Sequence, residues 1–475
     1  MNPSVNPYPK VSVYIVNHNY GRYVEQAIQS VLNQTMQDFE LLIIDNGSED
    51  GSRDIIARYA QHEKVLTLFQ ENIGLNRTNN VAIGQTTGRY VMRLDADDYL
   101  HESALAMLSE ALDRRAEVGL VFPDYYLVDP DGRVLDMVQR HNFDEVTLLD
   151  QPAHGACTMI RRECLEALDG YDESYHCQDG WDLWVRFIRR YGVANVDLPL
   201  FCYRQHGESL TRNEERILST RSRILQKAAQ EKADRLKSVA VIPIRGPSID
   251  PRSIALRPLA GRPVLEWTID EALNSQRISK VLVTSSDRDV EAHVKAVYGQ
   301  KVYFFRRDWE LALPAKPLDQ TLTALFDSLP EAWRTFDAVT LLFIESPFRQ
   351  ARDIDAAIDA LDVFDCNRVI SVRRLASQLY CHEGNGLVPV RQSELLRRES
   401  HELFRSAGEI MVLRRGHHVR DTDSDRHVGH IEVDERSAHR IFSEWSWMIA
   451  EMHAETIEAS RPGARDAVVA KVQRS

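Results

Sequence analysis

Twice along this chain, short β-branched runs alternate with amphipathic helical segments, and this alternation narrows the fold more than any other feature. The first run starts at Val11–Val16, which reads as a buried strand. Apolar residues Val24, Ala27, Ile28, Val31 and Leu32 then recur at the spacing of one helix face. Leu41–Ile44, a helix opened at Gly51-Ser52, Val65–Phe69, a helix near Asn76–Gly84 and Tyr90–Leu94 continue the pattern. Such repetition predicts an α/β fold with a mainly parallel sheet covered by helices on both faces. A second alternation begins at Val239–Pro243 and runs through a helix at Val264–Leu273. Its further strands are expected at Lys280–Thr284, Val302–Phe305, Val339–Ile344 and Arg368–Val372. Between the two, TRNEERILSTRSRILQKAAQEKADRLK is highly charged, with a thin apolar stripe at Ile217, Ile224 and Leu225, and reads as a helical connector. At 475 residues, two domains are the natural expectation. The predicted boundaries are 1–210, a connector at 211–237, a second domain at 238–460 and a frayed tail at 461–475.

The net charge of −13 argues against duplex nucleic acid as a partner, because phosphate backbones need a clustered positive surface. An anionic nucleotide can still bind locally through amides, a metal or a few arginines. The six cysteines form no C-x-x-C pair, which favours buried free thiols over a disulfide framework or zinc site. The opening residues MNPSVNPYPK lack the apolar stretch of a signal peptide. No apolar run approaches the ~20 residues that span a bilayer. The expectation is a cytoplasmic protein that touches, at most, the inner face of the membrane.

In open parallel sheets, ligands sit outside the carboxyl ends of the strands. Those ends carry Asn17-His18-Asn19, Asp45-Asn46-Gly47-Ser48 and Asp95-Ala96-Asp97-Asp98. Three polar clusters at adjacent strand ends would face one crevice. Asp45 suits hydrogen bonding to a base or ribose. Asp95 and Asp97 suit a hard cation, since three acids in four residues repel one another without one.

From Val11 to Asn213 the chain resembles the family 2 glycosyltransferases of the GT-A fold. VSVYIVNHNYGRYVEQAIQSVLNQTMQDFELLIIDNGSEDGS is similar to that family's opening, and ENIGLNRTNNVAIGQTTGRYVMRLDADDYL carries its D-x-D region. RRECLEALDGYDE, QDGWDLWVRF and LPLFCYRQHGESLT resemble its acceptor-side and closing motifs. The resemblance implies an inverting transferase that moves a sugar from a nucleotide-sugar to a hydroxyl acceptor with the help of Mn2+ or Mg2+. It places donor-nucleotide binding at Asn17, Asn19, Asp45 and Asp95, and metal binding at Asp95, Asp97 and His206. Asp179 becomes the general base. Where the family usually has Glu-Asp, this chain has Gln178-Asp179. Asp179 could instead be an acid favoured by a helix N-terminus. His206 could be structural, and Trp181 and Trp184 read as core packing or as a sugar platform. The acceptor region, Asp124–His154, carries no diagnostic motif.

In the second half, VIPIRGPSIDPRSIALRPLAG resembles the phosphate loop of the CMP-sialic acid synthetase (cytidylyltransferase) family, usually I-P-A-R-G-G-S-K followed by R-P-L-A-G. VLVTSSDRDV, ESPFRQARDIDAAI and RQSELLRRESHELFRSAGEIMV extend the match. The fold so implied is two Rossmann-like nucleotide-binding domains joined by a helical linker. Arg245, Ser248 and Asp287 remain as a nucleotide-like site, but Ile249 and Ile254 stand where the family has lysines. Pro247 replaces a glycine and Phe343 a glutamine, while His439 and Ile441 occupy the positions of two metal-binding acids. An isoleucine cannot ligate a hard cation, so the second domain is expected to be catalytically degenerate. Its expected use is oligomerisation, as a homodimer or higher homo-oligomer, or ligand binding. The expected donor is a UDP- or GDP-sugar, with a CMP-sugar as the alternative, and the acceptor a glycan, lipid-linked or protein hydroxyl. Two other readings stand beside this one: a bifunctional CMP-sugar synthetase/glycosyltransferase, and a non-enzymatic assembly protein.

Overall fold

The computed structural model describes residues 8–140, 155–206, 214–232, 234–313, 315–375, 379–382, 386–390, 403–417 and 428–460. The expected tail at 461–475 lies outside them, as does 141–154 of the acceptor region. The chain forms two compact units, Met1–Arg221 with Ala376–Glu402, and Ser222–Leu375 with Leu403–Ser475.

The first unit is built on nine strands: β1 Val11–Asn17, β2 Phe39–Asn46, β3 Val65–Gln70, β4 Tyr90–Asp95, β5 Tyr99–Leu100, β6 Val118–Val128, β7 Val134–Val138, β8 Met159–Arg161 and β9 Gly192–Arg204. They form one sheet in the order β3-β2-β1-β4-β8-β6-β9-β5, with β7 on β6. β1 to β4 pair in parallel, whereas β8 runs antiparallel to both β4 and β6. The expected parallel sheet is therefore the N-terminal half of a mixed one. Alternation along β1 explains its central place. Val11, Val13 and Ile15 pack into one core cluster and Tyr14 into another, with Leu42, Ile44 and Val91. Both faces are covered, so residues of both parities along the strand are buried, and its polar Ser12 is satisfied by Glu40 at 2.7 Å. Each such fully buried Val or Ile contributes about 1.5–3 kcal/mol relative to exposure.

The charged connector folds as a helix at Glu214–Gln230. In the second unit, β10 Ser238–Pro243, β13 Ile278–Ser285, β14 Val302–Arg306, β15 Ala338–Leu342, β16 Arg368–Arg374, β19 Phe404–Arg414 and β20 Val428–Glu432 form a sheet ordered β14-β13-β10-β15-β19-β16-β20. A short hairpin of β11 Pro258–Leu259 with β12 Arg262–Pro263 belongs to this unit, and one of β17 Tyr380–His382 with β18 Leu387–Pro389 belongs to the first. β14, β13, β10 and β15 are mutually parallel, which gathers their carboxyl ends along one edge. Val239, Val241, Leu282 and Leu341 make the core against the helix Leu318–Ser328. All six cysteines are free thiols. Among the described residues, no helix is long and apolar enough to cross a membrane.

Candidate active site

Register decides the site. On β1, Asn17 stands beside Asp45 of β2, and Val16 beside Asp95 of β4, so three strands end at one level. Asn17, Asn19 and Asp45 interlock there. The Asn17 amide donates to Asp45 Oδ1 at 3.2 Å and to Ser48 Oγ at 3.0 Å. Asn19 adopts a left-handed φ of 62°, which aims its backbone N–H at Ser48 Oγ, 3.0 Å away. Asp45 is fully buried and accepts from the Ser48 amide at 3.2 Å. Arg53, a residue the sequence reading missed, pairs with it at 3.2 Å and lies over the Phe69 ring. Arg53 is thus an exposed cation at this corner beside the exposed Asn19, and Asp45 sits behind it.

A second missed residue joins the two halves of the expected chemistry. Arg93, two residues before Asp95 on the same strand face, is 8% exposed. Its Nε lies 2.8 Å from Asp95 Oδ1, and its NH1 donates to Asp179 Oδ2 at 2.5 Å. Burial works against the guanidinium charge, but the carboxylates of Asp95 and Asp179 overrule it and hold Arg93 charged well above its ordinary range. A cation inside the apolar run YVMRLD was the available signal. Asp179 opens the helix Asp179–Phe187, after Gln178 at a left-handed φ of 61°. Its carboxylate thus lies between the Arg93 guanidinium and the start of its own helix. Gln178 uses its carbonyl to accept from Arg221 at 2.9 Å. Trp181 and Trp184 are buried, as core packing requires.

Asp97 accepts from His206 Nε2 at 2.8 Å, and the His206 ring stacks on Tyr23 at 5.7 Å. Burial, then the Asp95 carboxylate, push the Asp97 carboxyl up, against the bond from His206. Asp98 is 1% exposed and is pushed well up by burial, Asp97 and Asp95. Arg204 ties the turn together through Asp97 O at 2.8 Å and Gln26 at 2.7 Å, and donates its backbone N–H to Asp98 at 2.9 Å. Among the described residues, no group of three or more His, Cys, Asp and Glu gathers to hold a metal ion. The donor set nonetheless suits a hard cation: Asp97 is pushed up by burial and by the neighbouring Asp95 carboxylate, a crowding of like charge that a cation relieves. Mg2+-like ions commonly take one or two protein carboxylates and complete their shell with phosphate and water. In the acceptor region, Asp124 is buried and caps the Arg140 amide at 2.7 Å.

In the second unit, Ser248 and Asp287 meet and Arg245 does not join them. Ser248 Oγ donates to Asp287 Oδ2 at 2.9 Å, and Asp287 caps the helix Arg288–Tyr298 through the amides of Asp289 and Val290. Gly246 is required for this closure, since a Cβ there would lie 2.2 Å from Asp287 Cβ. Despite its burial, the Val290 amide and Ser248 hold the Asp287 carboxyl below its usual range. Its stabilisation is therefore present above the ordinary carboxylate pKa of about 4 and lost as pH falls through the lower folded value. Asp287→Ala is expected to destabilise this unit by about 1–2 kcal/mol at neutral pH. The gap should close in acid, and thermal melts at pH 7 and pH 3 check both. A variant whose deficit is unchanged at pH 3 contradicts the assignment.

Residues 12–169 match the family model for Glycosyl transferase family 2, and residues 239–363 that for Cytidylyltransferase. An uncharacterized glycosyltransferase from Nostoc sp. is 37% identical over 216 residues, 42% of this chain and 65% of the relative. The chondroitin synthase of Escherichia coli is 31% identical over 207 residues, 42% of this chain and 30% of that protein. The chain thus spans less than two thirds of the length of either relative. Among solved structures, S. aureus TarS 1–349 in complex with UDP-GlcNAc aligns with a TM-score of 0.41 and 16% identity, covering 47% of this chain and 68% of that one. The mannosyltransferase PcManGT from Pyrobaculum calidifontis, in complex with GDP-Man and Mn2+, aligns with a TM-score of 0.36 and 17% identity, covering 49% and 67%. By these matches the chain carries a glycosyltransferase family 2 domain at residues 12–169, followed by a cytidylyltransferase-family domain at residues 239–363.

Proposed function

We propose that the first unit is an inverting glycosyltransferase that moves a sugar from a nucleotide-sugar to a hydroxyl acceptor, in surface polysaccharide or glycoconjugate synthesis. The observation that carries this reading is Arg93, held at once by Asp95 at the end of β4 and by Asp179 at the start of its helix. That arrangement sets a charged carboxylate beside the strand ends where a donor would lie. In the reaction, the acceptor oxygen bonds to the anomeric carbon and the bond from that carbon to the diphosphate breaks. Asp179 takes the acceptor's proton, and the nucleoside diphosphate leaves with the bonding pair. Asp95 and Asp97 would hold Mn2+ or Mg2+, with His206 fixing Asp97. The cation's contribution is to neutralise the charge that builds on the diphosphate. Asn17, Asn19 and Asp45 shape the pocket floor for the nucleotide, and Arg53 supplies its exposed cation. The match to chondroitin synthase supports polymer or glycoconjugate synthesis as the setting.

The second unit is proposed to be non-catalytic, serving oligomerisation or ligand binding. His439 Nε2 donates to Ser446 O at 2.8 Å, and Ile441 is buried, so neither position offers a carboxylate. The bifunctional reading would need exactly that pair of acids. Calorimetric titration with UDP, GDP, CMP and CTP, with and without Mn2+, tests the scheme. UDP or GDP is expected to bind in a Mn2+-dependent way, and Asp97→Ala should weaken that binding at least about tenfold, or 1.4 kcal/mol. Equal affinity in wild type and Asp97→Ala overturns the metal-site assignment.

A further inference from the structure

The three residues that lead into Asp179 are each held from one helix. His176 O accepts from Arg216 NH2 at 3.1 Å, Cys177 Sγ lies 3.2 Å from Thr220 Oγ1, and Gln178 Oε1 accepts from Arg221 Nε at 2.9 Å. Arg216, Thr220 and Arg221 stand at i, i+4 and i+5 of the connector helix Glu214–Gln230, so one side of that helix meets the whole approach to Asp179. The Arg221 guanidinium also lies over the Trp181 ring, 5.9 Å from its centre, within the first turn of the helix that Asp179 begins.

Gln178 is where this hold acts. Its φ of 61° puts a residue with a side chain in the left-handed region, a conformation that persists only where the surroundings fix it. It stands at the N-cap of its helix, yet its side chain makes no capping bond there. The side chain turns to Arg221 instead, and a hydrogen bond from a guanidinium is charge-assisted and among the stronger ones. The backbone angles of Gln178 set the direction in which the next side chain leaves the chain. Asp179 Oδ2 reaches Arg93 NH1 at 2.5 Å only while that direction is kept. A glutamate, usual at position 178 in the family that this half resembles, and a glutamine offer Arg221 the same kind of acceptor oxygen.

We propose that Arg221 of the connector helix is a positioning residue for the base: it locks Gln178 in its left-handed conformation and so fixes where the Asp179 carboxylate points. The connector is then part of the transferase site as well as a tether, an inference that rests on the transferase reading of the first unit. Two measurements on the full chain test it. One is deuterium exchange in the peptide spanning residues 176–187. The other is release of UDP from UDP-GlcNAc or of GDP from GDP-mannose under saturating Mn2+. Arg221→Met keeps the apolar stem and should speed exchange in that peptide about tenfold. It should lower kcat about 10- to 100-fold, with the donor KM within about twofold of wild type. Gln178→Leu should reproduce both effects, whereas Gln178→Glu, which keeps an acceptor oxygen, should reproduce neither. The double variant of Arg221→Met and Gln178→Leu should be no worse than the poorer single one, because both remove the same bond. Wild-type exchange in Arg221→Met and in Gln178→Leu overturns the proposal, even if neither donor is turned over. Faster exchange with an unchanged kcat overturns it too, and leaves a structural contact. Wild-type transfer by Asp179→Asn is a different failure: it removes the base, and with it the transferase reading, whatever the exchange in Arg221→Met.

Discussion

Asp179→Asn is expected to lower the rate of sugar transfer by about 10²–10⁴-fold while leaving donor affinity close to wild type. Asparagine keeps the size and planarity of the side chain, so its helix still begins at the same place. What it removes is the basic oxygen that accepts a proton, along with half the charge that answers Arg93 across 2.5 Å. The diagnostic result is a fall in kcat with little change in the donor's KM, measured under saturating Mn2+. Asp179 is 15% exposed at its side chain, enough for an acceptor hydroxyl to reach it. Transfer at the wild-type rate in Asp179→Asn would falsify its assignment as base and return it to a purely structural helix start.

Arg93→Met should act on both stability and rate. Removing a buried cation leaves Asp95 and Asp179 facing each other without compensation, and breaking a buried pair in this way costs about 3–5 kcal/mol. Both carboxylates keep some water contact, at 30% and 15% exposure, so the lower end, about 3 kcal/mol, is expected. For a unit of this size that corresponds to a fall in Tm of roughly 6–12 °C. The rate should drop by about 10²-fold, because a base displaced by an ångström loses its alignment. Arg93→Lys separates position from charge: a single ammonium cannot serve both carboxylates as a fork does, so it should recover stability better than kcat. Recovery of both to wild-type values would mean that bidentate geometry is unimportant here.

How much of this was readable in the sequence depends on the range of the contact involved. The strand ends were legible because period-2 and period-3.6 patterns are local. Asn17, Asp45 and Asp95 each terminate an apolar run, and the β2-β1-β4 order then sets those ends side by side. Ser248 and Asp287 were instead picked out by the resemblance to the cytidylyltransferase family, and they lie after β10 and β13. Arg93 escaped because its meaning lies in a partner 86 residues away. Arg307 of the second unit, 5% exposed and with its Nε unpartnered among the described residues, escaped for a different reason: an unanswered donor has no signature in sequence. Asp45 shows the reverse error of emphasis. Its strand-end position was visible, while its complete burial behind Arg53 depends on how Ser48 and Phe69 fold over it.

The sequence by itself determined the α/β class, the two alternations, and which strand ends carry carboxylates, since all of these follow from side-chain periodicity and from the short reach of turns. Only the tertiary structure decided that the N-terminal sheet becomes mixed beyond β4, that one arginine binds both Asp95 and Asp179, and that the Arg307 Nε is buried with no hydrogen-bond partner among the described residues. The physical reason is common to all three. Pairing direction, ion pairs and desolvation depend on distances between residues far apart in the chain, and those distances are fixed by packing the core rather than by any local pattern.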